Sequence, residues 1–152
     1  MCSCTAKDEA QEALTAAKRL AAEGKFQQAL EKHVWFHNHA LEVRPSYYGV
    51  RLSFALSDWV ELGKKYPKAL VTLRGIRDEK TARLLAGNAN RGLFHDVESI
   101  NDHLKESSAT VALFKKLDGA QPEFAASVHD LADEALIAAG EYGLRRSIWA
   151  IP

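Results

Sequence analysis

Apolar side chains recur at helical spacing along most of this chain, and the pattern is strongest between Pro45 and Pro67. One face of that segment carries apolar residues at i, i+4, i+7, i+11 and i+14, namely Tyr48, Leu52, Ala55, Trp59 and Leu62. This repeat matches the 3.6-residue period of an α-helix. A second row runs beside the first and consists of Tyr47, Arg51, Phe54 and Asp58. Because a helix that is apolar over so wide an arc is buried on two sides, we predict that this segment is one helix in the central layer of a helical stack.

The same period predicts helices before and after the central one, with glycine, proline or capping residues at their ends. The predicted helices cover about residues 5–23, 26–43, 45–67, 67–85, 93–104, 108–117 and 122–139, and residues 141–152 leave room for an eighth. No segment has the period-2 alternation of a β-strand. The sequence therefore predicts an all-α fold, an antiparallel stack of helix hairpins with about seven to eight helices.

The length of the chain indicates one domain, which we expect to extend over residues 1–152. A chain of this size buries roughly 70% of the surface of its unfolded state. Residues 1–6 are expected to form a flexible tail. The loosest internal stretch is Ala-Gly-Asn-Ala-Asn-Arg-Gly at residues 86–92, and it is the best candidate for an internal boundary. We predict no domain linker there, because neither side would hold an adequate core.

The composition and the two cysteines favour a cytoplasmic protein that contacts no membrane. No apolar run approaches the roughly 20 residues needed to cross a bilayer, and the first residues lack the basic and apolar regions of a secretory signal. Cys2 and Cys4 are too close in sequence to close a useful loop. We interpret them as two exposed thiols in a reducing compartment. The alternative is half of a metal site, which no later cysteine completes.

The charged residues are unevenly distributed, although the formal net charge is zero. Residues 61–92 carry eight basic and three acidic side chains, a net charge of +5, whereas residues 93–142 carry three basic and ten acidic ones, a net charge of −7. Such a dipole can steer a charged partner towards the protein. The alternative is that the charges form the solvated surface of two neighbouring helical layers. The neutral total argues against a nucleic-acid-binding protein.

Similar turn sequences separate three pairs of predicted helices. A glycine is followed closely by an aromatic residue at Gly24-Lys25-Phe26, at Gly140-Glu141-Tyr142 and, with one extra residue, at Gly63-Lys64-Lys65-Tyr66. In each turn the glycine lets the chain reverse, and the aromatic ring is expected to fill the gap between the two helices. After the first and third of these turns an alanine, Ala29 or Ala69, allows the helices to approach.

This pattern resembles the tetratricopeptide-repeat (TPR) superfamily, whose turn is Gly-x-Tyr/Phe followed by alanine and later by proline. Gly24, Phe26, Ala29 and Pro45 match that order. The interval from Gly24 to Gly63 is 39 residues, longer than the usual period of about 34, so the chain resembles an irregular TPR-like protein. It is also similar to small bacterial TPR-like proteins of uncharacterised activity.

The resemblance implies an α-solenoid with a concave groove that binds a protein or a peptide. In a TPR-like stack the first helix of each pair lines the groove, which here means the first, third, fifth and seventh predicted helices. The candidate groove residues are Tyr47, Arg51 and Asp58 on the third predicted helix, Asn101 on the fifth, and Trp35 on the second as an exposed anchor or a contact between layers. The alternative is that Arg51 and Asp58 pair with neighbouring helices and stabilise the stack.

The best candidates for metal ligands are His33 and His37, which lie at i and i+4 on the second predicted helix. This spacing can place two imidazoles on one metal ion, but the His-Glu-x-x-His pattern is absent. Histidines packed between helices are therefore the preferred interpretation. The sequence also lacks a Gly-x-Ser-x-Gly elbow, a phosphate loop and a dinucleotide fingerprint, so we expect no enzymatic activity and no cofactor.

Three functions remain after these exclusions. The leading one is a non-enzymatic scaffold that binds a protein or peptide, as an adaptor or as an immunity-type inhibitor. The second is a metal-binding helical protein that uses His33 and His37. The third is a structural subunit that forms a homodimer through its C-terminal helix, where a second copy would cover Trp149 and Ile151.

Overall fold

The computed structural model describes residues 8–141 and confirms an all-α fold. The helices are α1 (Glu9–Ala22), α2 (Phe26–Val43), α3 (Tyr48–Leu52), α4 (Phe54–Lys65), α5 (Lys68–Leu85), α6 (Arg91–His103), α7 (Ser107–Ala120) and α8 (Pro122–Ala138), with a 3₁₀ turn at Pro45–Tyr47 before α3. No β-strand occurs within residues 8–141. None of the described helices is both long enough and apolar enough to cross a membrane.

The chain divides into two compact units, Met1–Thr72 and Leu73–Pro152, and the division falls inside α5. The loose stretch predicted at residues 86–92 lies between α5 and α6, within the second unit. The single domain over residues 1–152 and the α-solenoid arrangement stay predictions. The predicted tail at residues 1–6 and the predicted eighth helix, with its dimer contact, lie outside the described residues.

The helix ends follow the capping signals of the sequence closely. Helix α1 begins after Asp8, whose carboxylate accepts a hydrogen bond from the Gln11 backbone N–H at 3.0 Å; residue 5, where this helix was predicted to begin, lies outside the described residues. The bounds of α2 are the predicted ones. Gly24 and Gly140 follow α1 and α8 with φ of 78° and 74°, a backbone conformation that costs glycine little.

The central helix was predicted as one element, and this prediction is wrong. The segment contains the 3₁₀ turn, α3 and α4, with a break at Ser53, where φ is −122° and ψ is −90°. The Ser53 hydroxyl donates a hydrogen bond to the Gly49 carbonyl oxygen at 2.7 Å. A serine that bonds to the carbonyl four residues earlier weakens and bends a helix. The break leaves Tyr48 37% exposed and Phe54 73% exposed, so neither belongs to a buried face.

The C-terminal part of the predicted face is buried as expected, in the core of the first unit. Trp59 is 1% exposed, and its indole N–H donates a hydrogen bond to the Ala69 carbonyl oxygen at 2.8 Å. The aromatic residues after two of the predicted turns, Phe26 and Tyr66, stack on each other with ring centroids 6.0 Å apart. These contacts tie the hairpin of α1 and α2 to α4 and to the start of α5.

Gly63 does not turn the chain, contrary to the prediction, because α4 continues through it to Lys65. A Cβ atom at Gly63 would lie 2.4 Å from the Leu70 side chain. The glycine is therefore required by close packing rather than by a turn. At Gly75, in contrast, a Cβ atom would meet no atom within 4 Å.

The second unit has its own core, built from α6, α7, α8 and the C-terminal part of α5. Its buried apolar residues are Leu84, Phe94, Val97, Val111, Leu113, Phe114, Leu117, Ala125, Val128, Ala132 and Leu136. Helices α7 and α8 form a hairpin around Gln121, and Pro122 begins α8 as predicted. Proline is favoured at this first helical position because its missing N–H would have no intrahelical partner there.

Candidate functional site

A partly enclosed cavity of the first unit lies between α1, α2 and α4. Its volume is about 280 Å³, and its lining consists of Ala17, Lys18, Ala21, Ala22, His33, Asp58, Glu61, Leu62 and Lys65. We call this cavity the α1–α4 pocket. Alanines form the α1 side because their small side chains leave space between the helices. The α4 residues at this wall are three or four positions apart, which places them on one face of the helix.

His33 is a buried polar residue in the lining of the α1–α4 pocket. It is 3% exposed, and its ring stacks on the Trp59 indole with centroids 5.7 Å apart. Its Nδ1 atom is buried and has no hydrogen-bond partner among residues 8–141. Burial lowers the pKa of His33 to about 4, although the nearby Asp58 carboxylate acts in the opposite direction. The imidazole is therefore neutral at neutral pH.

The charges around the pocket are balanced. Lys18 Nζ lies 3.5 Å from an Asp58 carboxylate oxygen across the α1–α4 gap. Glu61 pairs with Lys64 at 2.6 Å along α4. The lining as a whole contains two lysines and two acids. These pairs are partly exposed and stabilise the fold little, so the side chains can rearrange around a bound group.

Two of the predicted groove residues on the third predicted helix make contacts inside the first unit instead. Arg51 is 6% exposed, and its Nε donates a hydrogen bond to the His37 carbonyl oxygen at 2.7 Å. It therefore matches the alternative in which it stabilises the stack. Tyr47 is half-buried, donates a hydrogen bond to the Asp8 carboxylate and meets the Phe36 ring edge-on at 5.8 Å. These contacts fix the 3₁₀ turn against the start of α1.

Asp58 lines the α1–α4 pocket, whereas Trp35 lies elsewhere in the first unit. The Trp35 ring is half-buried, with its centroid 5.0 Å from that of His39. It borders a shallower cavity of about 380 Å³ that also involves Val34 and Lys68. The structure therefore does not bring Trp35 and Asp58 to one site.

Asn101 belongs to the second unit and is completely buried there. Its amide donates a hydrogen bond to the Thr110 hydroxyl at 3.0 Å and accepts one from Arg77 at 3.1 Å. Arg77 also donates to Glu106 at 2.7 Å, and Arg74 donates to the same carboxylate at 2.9 Å. These residues form a polar network inside the unit, so Asn101 offers no surface for a partner.

Part of the uneven charge distribution is paired within the second unit, through ion pairs that neither interpretation of the sequence anticipated. Ion pairs between the basic and acidic segments join Arg74 and Arg77 to Glu106, Lys80 to Asp96, and Arg91 to Asp130. The arginine contacts lower the pKa of Glu106 and of Asp130. Part of the charge segregation in the sequence therefore reflects contacts inside the second unit.

Comparison with known proteins gives no relative from which a function can be transferred. No family model, curated protein or solved structure matches the chain. The TPR-like resemblance therefore stays a prediction from its motif residues.

The two candidate metal ligands lie against Trp59 rather than around a shared point. His33 stacks on the indole, whereas His37 meets it edge-on, with centroids 6.2 Å apart and ring planes at 86°. The Arg51 guanidinium lies 3.1 Å from His37 Nε2, and a cation there opposes metal binding. Residues 8–141 hold no group of three His, Cys, Asp or Glu side chains placed to bind a metal ion. These contacts fit the interpretation of packing histidines.

Proposed function

We propose that this protein is a non-enzymatic helical scaffold that binds a protein or peptide partner through the α1–α4 pocket. The observation that supports this function is a partly apolar pocket whose lining includes one buried imidazole, His33, and four charged side chains. Binding sites generally combine an apolar surface with a few positioned polar groups. The proposed scaffold is cytoplasmic and TPR-like, and it binds neither nucleic acid nor membrane.

The positions of the pocket helices agree with a TPR-like groove. Helix α1 is the first helix of the first hairpin, and α4 is the main part of the helix predicted to open the next one. In the superfamily that the sequence resembles, helices at these positions line the binding surface. Asp58, one of the groove residues predicted from the sequence, lies on this wall.

The pocket lining lacks one common set of catalytic groups. Its nine residues include no serine, threonine, cysteine or tyrosine that His33 could activate as a nucleophile. Balanced charges at a rim orient a partner and select against wrong ones more than they raise affinity.

The proposal is tested by filling the pocket and measuring partner capture from the native cell. Ala21→Trp places a large ring in the pocket, whereas Ala82→Trp makes the same change at an exposed helical position of the second unit. We expect the Ala82 variant to retain the partner and the Ala21 variant to lose at least about tenfold in affinity. Circular dichroism must show equal helix content in both variants.

A second pair of variants covers the case in which Ala21→Trp disturbs the packing of α1. Lys65→Glu changes a charge at the pocket rim, and Lys116→Glu makes the same change on the exposed face of α7. Equal partner capture by wild type, Ala21→Trp and Lys65→Glu would contradict the proposed function. Selective loss with the two pocket variants would support it.

A further inference from the structure

The α1–α4 pocket has the chemistry of a receptor for one neutral aromatic hydroxyl group. We infer that the partner inserts a tyrosine side chain, with its ring between α1 and α4 and its hydroxyl at His33. This inference rests on the proposed function and specifies the chemistry of the partner.

The size and walls of the pocket suit a single ring. Its volume of about 280 Å³ is slightly below the range of roughly 300–1,000 Å³ found for pockets that hold drug-sized ligands. Ala17 and Ala21 provide an apolar wall on α1, and Leu62 faces them from α4. An aromatic side chain buries a large apolar surface in such a slot and loses little conformational freedom.

The charge balance favours a neutral group over an ion. Lys18 and Lys65 would attract a carboxylate, but Asp58 and Glu61 line the same pocket and would repel it. The same argument with reversed signs applies to a lysine or arginine side chain of the partner. A neutral ring is the occupant that meets no repulsion from either pair.

His33 supplies the reason for a hydroxyl on that ring. Its Nδ1 is enclosed without a hydrogen-bond partner in the described part of the chain, so an imidazole that lines the pocket can pair with an incoming group only through Nε2. A purely apolar side chain would cover this nitrogen and leave it unpaired, which is unfavourable. A phenolic hydroxyl can donate or accept, so it satisfies Nε2 in either neutral tautomer of the imidazole.

The test compares N-acetyltyrosinamide with N-acetylphenylalaninamide, which differ only in the hydroxyl group. The intact protein carries ¹⁵N-labelled histidine, and NMR titration follows the ring nitrogens of His33. We expect the tyrosine probe to bind at least about tenfold more tightly than the phenylalanine probe, since a site built to pair a hydroxyl discriminates against its absence. It should also shift the Nε2 signal of His33.

Variants separate the hydroxyl contact from the shape of the pocket. His33→Leu should make the two probes bind equally, and His33→Gln, which keeps a hydrogen-bonding group, should restore part of the preference. If His33→Leu does not fold, Ala21→Trp should abolish binding of the tyrosine probe with the histidine in place.

Three results would overturn the inference. Equal affinity of the two probes for the wild type would exclude a role for the hydroxyl. Binding of p-cresol without binding of the tyrosine probe would indicate a free phenolic ligand instead of a partner side chain. Pocket-dependent partner capture with no response to the tyrosine probe would reject the inference while leaving the proposed function intact.

Discussion

Acidification is expected to destabilise the first unit, because His33 is buried there as a neutral imidazole. Its folded-state pKa is lowered to about 4 from an unfolded value of 6.5, mainly by burial. Between these values the unfolded chain binds a proton that the folded chain excludes. Stability is therefore unaffected by His33 above the unfolded pKa and is lost as the pH falls towards the folded pKa.

The expected loss is about 3 kcal/mol over this pH range, from 1.36 kcal/mol per unit of pKa difference. Four charged groups line the α1–α4 pocket together with His33, namely Asp58, Glu61 and Lys65 on α4 and Lys18 on α1. Of these, Asp58 acts against the shift, because its carboxylate favours the protonated imidazole. Burial has the larger effect, so the predicted sign is destabilisation by acid.

Glu98 of the second unit would obscure the effect because its contribution has the opposite sign. Burial and the neighbouring Asp102 and Glu134 carboxylates raise the pKa of Glu98 to about 7 from 4.5. The folded state then holds a proton that the unfolded state releases, so stability is lost as the pH rises through this range. The substitution Glu98→Gln removes this contribution and serves as the background for the measurement.

The assay is urea unfolding of the Glu98→Gln protein at several pH values between about 7.5 and 4.5, followed by tryptophan fluorescence. Trp149→Phe is added so that the signal comes from Trp35 and Trp59, both in the first unit. A His33→Leu version should lose most of the acid sensitivity. If the free energy of unfolding depends on pH in the same way with and without His33, then His33 does not cause the acid sensitivity.

Three further predictions concern the packing of the two units. Trp59→Ala should cost roughly 3–5 kcal/mol, measured by urea unfolding, because the indole is buried and donates to Ala69; an unchanged midpoint would contradict this. Asn101→Leu should cost at least about 1–3 kcal/mol, since it leaves polar groups of the second unit unpaired, and a neutral effect would show that the network is dispensable. Gly63→Ala should lower the melting temperature, because its Cβ atom would meet the Leu70 side chain. Gly75→Ala has open space around the new Cβ atom, so its free energy of unfolding should rise by up to about 1 kcal/mol. Equal melting temperatures of the two variants would contradict this prediction.

The period of apolar residues and the turn residues predicted most of the helices. The bounds of α2, the glycines after α1 and α8, and the proline at the start of α8 all follow from local backbone preferences. The break at Ser53 could not be read from the pattern, because apolar residues continue at helical spacing on both sides of it. The hydrogen bond from Ser53 to Gly49 that accompanies the break favours bending of the helix, and periodicity does not report it.

The candidate site was only partly predictable, since a polar residue on a helix face can point to solvent or to a buried partner. Asp58 was predicted and lines the pocket, whereas Arg51 and Asn101 found hydrogen-bond partners inside their units. Lys18 was missed because an isolated lysine on an amphipathic helix carries no signal of its own. The enclosure of His33 Nδ1 depends on how α2 packs against Trp59. The spacing of residues along one helix does not determine that packing.

Site-specific photo-crosslinking in the native cell can show whether a partner occupies the α1–α4 pocket. A benzophenone amino acid replaces Lys65 at the pocket rim or, as the control, Lys116 on α7. We expect one discrete crosslinked partner from position 65, lost when Ala21→Trp fills the pocket, and none from position 116. The same crosslinks from both positions, or crosslinking at position 65 that survives Ala21→Trp, would contradict it.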